Sequence, residues 1–321
     1  MRSTVGISCL QAGEDVKQCG VCTRVLIVFH TPIIRSWPAL LLIASVASAA
    51  DTDYVAEIQK WRADFDADVR TGGWLTLIGR FPVSEGITTI GSGPGRTVRL
   101  PSRVSERRLG TLTRHGDKFQ FGAAPGVKAN VDGHAMTVKT RLSTKPGTGR
   151  VQVGNLRLSV RSVGDDFYLL VADTQNPAIQ EFKGTTWFPI DSSYRIPATF
   201  TAYAEPEKVR ISMTHVESKT LMTSTGDLTF QLAGKTVSLK SFVDDHELFI
   251  MFQDPTNANE TYGGGRFVHA PLPTDGATVL DFNKAFSPYC SLNTYVMCPI
   301  PPPENRLDVR VAAGETYTAH E

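Results

Sequence analysis

Beyond residue 50 the chain has only two cysteines, a single stretch at helical spacing and no apolar run of bilayer length, and each shortage excludes something. A membrane-spanning helix needs about 20 consecutive apolar residues, so no span is expected there. Also missing are the short signatures of common chemistries: a G-x-S-x-G nucleophile elbow, an H-E-x-x-H metal helix, a P-loop, or a G-x-G-x-x-G that opens a helix after a strand. Gly91-Ser92-Gly93-Pro94-Gly95 is glycine-rich, but β-type runs flank it and no helix follows to aim its N-terminus at a phosphate. A hairpin loop is expected there. No cofactor motif and no metal-ligand spacing is present. An excess of either charge is lacking too: 33 Lys and Arg stand against 32 Asp and Glu, which gives no electrostatic case for nucleic acid or an anionic lipid surface as partner.

What is present starts with residues 37–50, WPALLLIASVASAA, an apolar run preceded by Arg35 and followed by the small-residue triplet Ala47-Ser48-Ala49. This reads as a bacterial Sec-type signal peptide, cleaved near Ala49, with residues 1–50 as a removed leader and a periplasmic or secreted mature protein. An uncleaved N-terminal anchor is the alternative. The polar residues before Thr23 do not suit the charged start of such a signal and point to an initiation site downstream of Met1. Cys9, Cys19 and Cys22 fall in the leader. Cys290 and Cys298 remain, and in an exported chain such a pair is expected to form a disulfide; two buried thiols or a metal site are the alternatives.

Residues 53–69 place Val55, Ile58, Trp61, Phe65 and Val69 at helical spacing, and Gly72-Gly73 ends the pattern. From Trp74 the period drops to two, in short β runs broken by Gly, Pro and Asp about every eight to twelve residues. A second β series follows Trp187-Phe188-Pro189. Residues 226–242, GDLTFQLAGKTVSLKSF, read as a hairpin turning at Ala233-Gly234. The expected fold is mostly β, an antiparallel sandwich or barrel built from two packed β halves (residues 51–183 and 184–321) with one N-terminal amphipathic helix. Residues 173–183 are the candidate linker.

Residues 281–306, DFNKAFSPYCSLNTYVMCPIPPPENR, hold five prolines and a dense set of hydrogen-bonding side chains among apolar ones. A long irregular segment of this kind is either functional or disordered, and its aromatics argue for packing. The expected site lies beneath it. Arg266 and Arg306 are candidate anchors for a carboxylate or phosphate, Tyr262, Asn283 and Asn305 further ligand contacts, and Asp281 and Glu304 candidate acid–base groups. Antiparallel pairing of residues 265–272 with 277–283 would bring Arg266 close to Asp281. The opposing reading makes Asp254–Arg266 and Glu304–Arg306 structural ion pairs and Asn283 and Asn305 backbone caps.

With these runs laid out, the chain resembles the bacterial family catalogued as domain of unknown function 1684. The resemblance rests on KWRADFDADV leading into GGWLTLIGRFPVSEG, on IGSGPG before VRLP, on DTQNPAIQEFKGTTWFPIDSSYRI, on FQDPTNANETYGGGRFV, and on LDFNKAFSPYC and CPIPPPENRL with the terminal AGE. It implies a mostly-β fold and directs attention to the polar motifs; it implies no activity. Where relatives are expected to carry basic residues ahead of Asp173, this chain has Leu170-Val171-Ala172. The stretch from Arg80 to Gly133 also looks like a forkhead-associated sandwich, without the Arg and His that a phosphopeptide reader needs. The expected function is binding of a small polar or anionic ligand under the 281–306 loop. A hydrolase using Asp281 or Glu304, and an envelope protein with no small-molecule site, are the alternatives.

Overall fold

The structure is a computed structural model that describes residues 49–103, 106–136, 139–145, 147–244 and 246–317. The signal-peptide reading and the three N-terminal cysteines lie outside the described residues. Helix α1 (Ala49–Thr71) buries Tyr54, Ile58, Phe65 and Val69 along one face. Its C-terminus closes as Gly72 N–H donates to the Asp68 carbonyl, and Gly73 takes a φ of 93° that only glycine adopts without strain.

The first β half runs through β1 (Leu77–Pro82), β2 (Gly86–Gly91), β3 (Val98–Arg99), β4 (Gly110–His115), β5 (Lys118–Ala123), β6 (Asn130–Val131), β7 (His134–Ala135), β8 (Thr140–Leu142), β9 (Val151–Val153), β10 (Leu156–Val163) and β11 (Asp166–Asp173). These strands form two sheets, in the orders β1-β11-β10-β9-β6-β7 and β3-β2-β4-β5-β8, antiparallel except for β2 with β3. Alternate residues of both sheets, such as Ile90, Leu112 and Phe121 from one and Val151, Val160 and Leu169 from the other, meet in one apolar core. Asp173 finds its cation at a distance in sequence: Arg103 Nε lies 3.3 Å from its carboxylate, doing what Leu170-Val171-Ala172 cannot.

After α2 (Ala178–Glu181) and β12 (Thr186–Trp187) come β13 (Arg195–Ser212), β14 (Lys219–Leu232), β15 (Lys235–Asp244), β16 (Glu247–Phe252), β17 (Arg266–Pro271), β18 (Ala277–Asp281) and, near the C-terminus, β19 (Glu315–Thr316). Six of them form an antiparallel sheet in the order β17-β16-β15-β14-β13-β18, coiled into a nearly closed barrel. The expected β14–β15 hairpin forms, with Leu232 opposite Lys235 and both turn residues at positive φ, 48° for Ala233 and 77° for Gly234. The expected β17–β18 ladder does not. These are the two edge strands of the sheet, joined by the turn at residues 272–276 and linked by a hydrogen bond from Thr278 Oγ1 to the Pro271 carbonyl. β17 pairs with β16 on one side and with Phe286 of the loop, through Phe267, on the other, while β18 pairs with β13.

The barrel interior holds Ile196, Leu228, Ile250, Phe252, Val268 and Leu280, stoppered by Leu307, Val309 and Val311 from the C-terminal segment. Helix α1 and the 281–306 loop cover the outer face. As a result β16 is buried on both faces, Leu248 and Ile250 pointing in and Phe249 and Met251 pointing out against Phe65, Phe286 and Val296. The two β halves meet at this cover, where Asn293 Nδ2 donates to the carbonyls of Trp74 and Leu77 and Arg80 donates to those of His215 and Thr294.

Candidate functional site

The polar residues of the 281–306 region and its neighbours separate into three local constructions. Arg266 is 0% exposed; its guanidinium donates to the carbonyls of Ala313 and Val311, to Thr256 Oγ1 and to Asp254, the last at 3.0 Å. The other oxygen of Asp254 accepts the Val311 N–H at 2.8 Å. Burial pulls the Arg266 pKa below the ordinary guanidinium value and the Asp254 charge opposes that. This ion pair fastens the C-terminal segment to the barrel end, and a side chain so enclosed has no face left for a ligand.

Asp281 ends β18 and accepts hydrogen bonds from Tyr54 Oη on α1 at 2.9 Å and from the Asn283 N–H at 3.0 Å. Asn283, also fully buried, donates Nδ2 to the Asp191 carbonyl and accepts the Asp191 N–H on Oδ1. Burial, reinforced by the Asp281 charge, raises the Tyr54 phenol pKa. Asn305 does similar work elsewhere: its amide accepts the Lys240 N–H and donates to the carbonyls of Lys240 and Met251, filling a gap beside β15 and β16. Glu304 and Arg306 flank it and point outward, exposed. So Arg266, Asp281, Asn283, Glu304 and Arg306 are not brought into one cluster. No hydrogen bond or ion pair joins Arg266 to Asp281 among the described residues, and the missing β17–β18 ladder is the reason.

The disulfide expected between Cys290 and Cys298 is not formed: both are free and buried. The interaction with Cys298, with help from Thr214 and Tyr262, pulls the Cys290 pKa below the usual thiol value, while Cys298 is pushed up by Cys290 and by burial. Tyr262 lies with its hydroxyl 3.8 Å from Cys290 Sγ and its ring 5.2 Å from that of Tyr317. Among the described residues no group of His, Cys, Asp and Glu could hold a metal ion, and no helix is long and apolar enough to cross a membrane.

A residue outside this expected set has the setting of a functional group. Glu315 is 4% exposed, on the short strand β19 whose partner is β12, with Trp187 opposite Glu315. Gly314 makes that position possible: at φ 82°, a Cβ there would sit 2.5 Å from the Ala285 carbonyl oxygen. The Glu315 carboxyl accepts the Ser287 N–H at 2.7 Å. Burial pushes its pKa up to about 8, against the pull of that hydrogen bond and of nearby Arg266. Glu315 also lines a cavity of about 480 Å³ whose mostly apolar walls include Leu75, Ala178, Phe182 and Leu292, with Tyr317 beside it and the opposite charges of Glu181 and Lys183 at the surface. The Ser291 hydroxyl, next to Leu292 in the loop, is buried without a hydrogen-bond partner among the described residues. Sequence reasoning had one signal for this residue, the terminal Ala313-Gly314-Glu315. Each member now has a reason: a carbonyl for Arg266, a close backbone approach, and a carboxyl in the cavity.

Residues 180–316 match the family model described as "Protein of unknown function (DUF1684)". That segment belongs to the family. Among solved structures, the chain is similar to an uncharacterized protein of Haloarcula marismortui determined by solution NMR. Identity is 33%, the match covers 43% of this chain and 78% of that one, and the TM-score is 0.37. No curated protein matches the chain. The matched DUF1684 segment contains the barrel, the 281–306 loop, α2, β12 and Glu315, and so most of the cavity wall.

Proposed function

We propose that the protein binds a small ligand in the Glu315 cavity, with an apolar body against Phe182 and Leu292 and a polar or anionic head that accepts a hydrogen bond from the protonated Glu315 carboxyl. The observation that carries this reading is an almost fully buried carboxyl on a residue that lines an apolar-walled cavity of ligand size. Burying such a group without a charge partner is unfavourable, and a site that uses it explains its presence. At the rim Lys183 is offset by Glu181, so the selection rests on the buried carboxyl and the apolar walls.

Thermal unfolding with hexanoate, hexanol and hexylamine tests the proposal. Hexanoate and hexanol should raise the midpoint at pH 6.5 and hexylamine should not, because binding to the folded state alone stabilises it. Leu292→Trp, which fills the cavity, should abolish the shifts. If none of the three probes acts, or if the Trp variant responds like the parent, the cavity is not a binding site.

A second reading, a hydrolase, is favoured by one observation: a carboxyl held at about 8 is protonated at neutral pH yet close enough to ionise, the property of a general acid–base group. In that reading Glu315 takes the role expected of Asp281 or Glu304. Turnover of a p-nitrophenyl ester panel that changes with an apparent pKa close to 8 and is lost in Glu315→Gln would decide for it; no turnover leaves binding. We further propose that the protein works outside the cytoplasm, on the support of the 37–50 leader pattern. Mass spectrometry of protein from an exporting bacterial host should find an N-terminus close to Ala50, and retention of residues before Arg35 would refute export by this route.

A further inference from the structure

A second cleft, of about 370 Å³, opens between Glu57 and Trp61 of α1 and the strands β17 and β18, the two edges of the barrel sheet. Its walls are charged, and two of its polar groups lack the partners that their positions would predict. Arg195 stands directly opposite Asp281 in the β13–β18 ladder, on the same face, where opposite charges normally pair. Asp281 is instead held by Tyr54 and Asn283, and Arg195 lies over the Tyr54 ring, 5.3 Å from its centroid. Among the described residues Arg195 makes no ion pair. On the far side of the seam His269 is stacked between Phe249 and Phe286, and its Nδ1 is buried with no hydrogen-bond partner among the described residues. Glu247 Oε2 comes no closer than 3.5 Å to that nitrogen, an ionic approach rather than a bond.

The charges select the ligand. Glu57 and Lys284 neutralise each other at 2.7 Å. Arg195 and Asp281 together present one cation and one anion side by side, the complement of a carboxylate next to an ammonium. Asp281 Oδ1 is crowded with donors, whereas Oδ2 takes only the Tyr54 hydroxyl, so one carboxylate oxygen retains capacity for an ammonium. Glu247 is left over with no lysine or arginine partner among the described residues, across the cleft beside His269. Trp61 and Val279 line the space with apolar surface suited to a methylene chain.

We propose that this cleft binds a basic α-amino acid, with its carboxylate on Arg195, its α-ammonium on Asp281, its methylenes along Trp61 and Val279, and its side-chain cation on Glu247. A plain anion would meet three carboxylates in the lining and a plain amine would leave Arg195 unused; the zwitterion with a second cation uses every unpaired charge.

Isothermal titration of the full chain at pH 7 with L-lysine, L-norleucine, L-glutamate and Nα-acetyl-L-lysine tests this. Lysine should bind; norleucine, glutamate and the α-blocked lysine should each bind at least tenfold more weakly. Arg195→Ala should weaken lysine at least tenfold, and Glu247→Gln should remove the preference for lysine over norleucine. Both positions are exposed, and an unchanged unfolding midpoint will show that the variants fold. Glu315→Gln should leave lysine binding as it was, which separates this cleft from the cavity proposed above. No heat with lysine, equal binding of the blocked amino acid, or an unaffected Arg195→Ala each overturns the proposal.

Discussion

Glu315 offers the sharpest test of the physical reasoning, because a buried carboxyl with a raised pKa must leave a mark on stability. Its pKa goes from an ordinary 4.5 to about 8 on folding. The folded state therefore holds a proton that the unfolded chain releases across this window. The sign follows: below about pH 4.5 both states are protonated and folding is unopposed, and stability is lost as pH rises toward 8, where the folded carboxyl finally ionises. Between pH 5.5 and 8.5 the loss amounts to about 3 kcal/mol, from 1.36 kcal/mol per pKa unit. Glu315→Gln keeps the shape and an oxygen for the Ser287 N–H but cannot titrate. Urea unfolding of both proteins at half-unit steps across that range should give a difference in stability that grows with pH in favour of the variant by about this amount, while every other titrating group cancels. A flat difference would refute the claim that the carboxyl is forced to stay protonated, and with it the hydrogen-bond donor on which the proposed ligand recognition depends.

The other constructions make distinct predictions, each read by urea unfolding. Arg266→Met leaves Asp254 charged and buried without its cation and should destabilise by about 3–5 kcal/mol, as expected for one half of a buried pair. Asn305→Ala strands the Lys240 N–H and two carbonyls and should cost about 2–4 kcal/mol, whereas the neighbouring exposed Glu304→Ala and Arg306→Ala should fall within about 0.5 kcal/mol of the parent. Gly314→Ala should destabilise by at least about 1–2 kcal/mol through positive φ and contact with the Ala285 carbonyl, and a circular dichroism melt at pH 6 would show it.

Much of the fold could be read from side-chain spacing, and the failures have particular causes. Val55, Ile58, Phe65 and Val69 announce α1 because one face of that helix is buried, and Ala233-Gly234 announces the hairpin because few dipeptides accept two positive φ values. Spacing is silent for β16, where Leu248 to Phe252 are all buried and no alternation survives. It also misled at β17 and β18, since adjacency in sequence favours a hairpin while the closing of a six-stranded sheet makes the same strands its two edges. At the site, the density of polar residues in 281–306 was legible and its meaning was not. Asp281, Asn283 and Asn305 stand beside irregular backbone whose N–H and carbonyl groups have no ladder, and they supply the missing partners.

That distinction explains why the strongest candidate for a functional group lay outside the conspicuous motif. A structural polar side chain is surrounded by the backbone it serves, so it appears in sequence next to turns, prolines and other polar residues. Glu315 takes a hydrogen bond from the Ser287 N–H, and the rest of its surroundings are chosen by pieces remote in sequence: Leu75 after α1, Phe182 after α2, Leu292 in the loop. Its environment exists only after α1, β12 and the loop have packed, so no local pattern encodes it. Arg266 links the two levels. By holding the Val311 and Ala313 carbonyls it fixes the segment that delivers Glu315 two residues later, and a buried ion pair thereby acts on the cavity without lining it. Arg266→Lys, with a smaller donor set, should then lower affinity for hexanoate even where the protein remains folded, because the carboxyl loses its fixed position; unchanged hexanoate affinity in a folded Arg266→Lys would show that the segment is held by β12 and the Ala285 carbonyl alone.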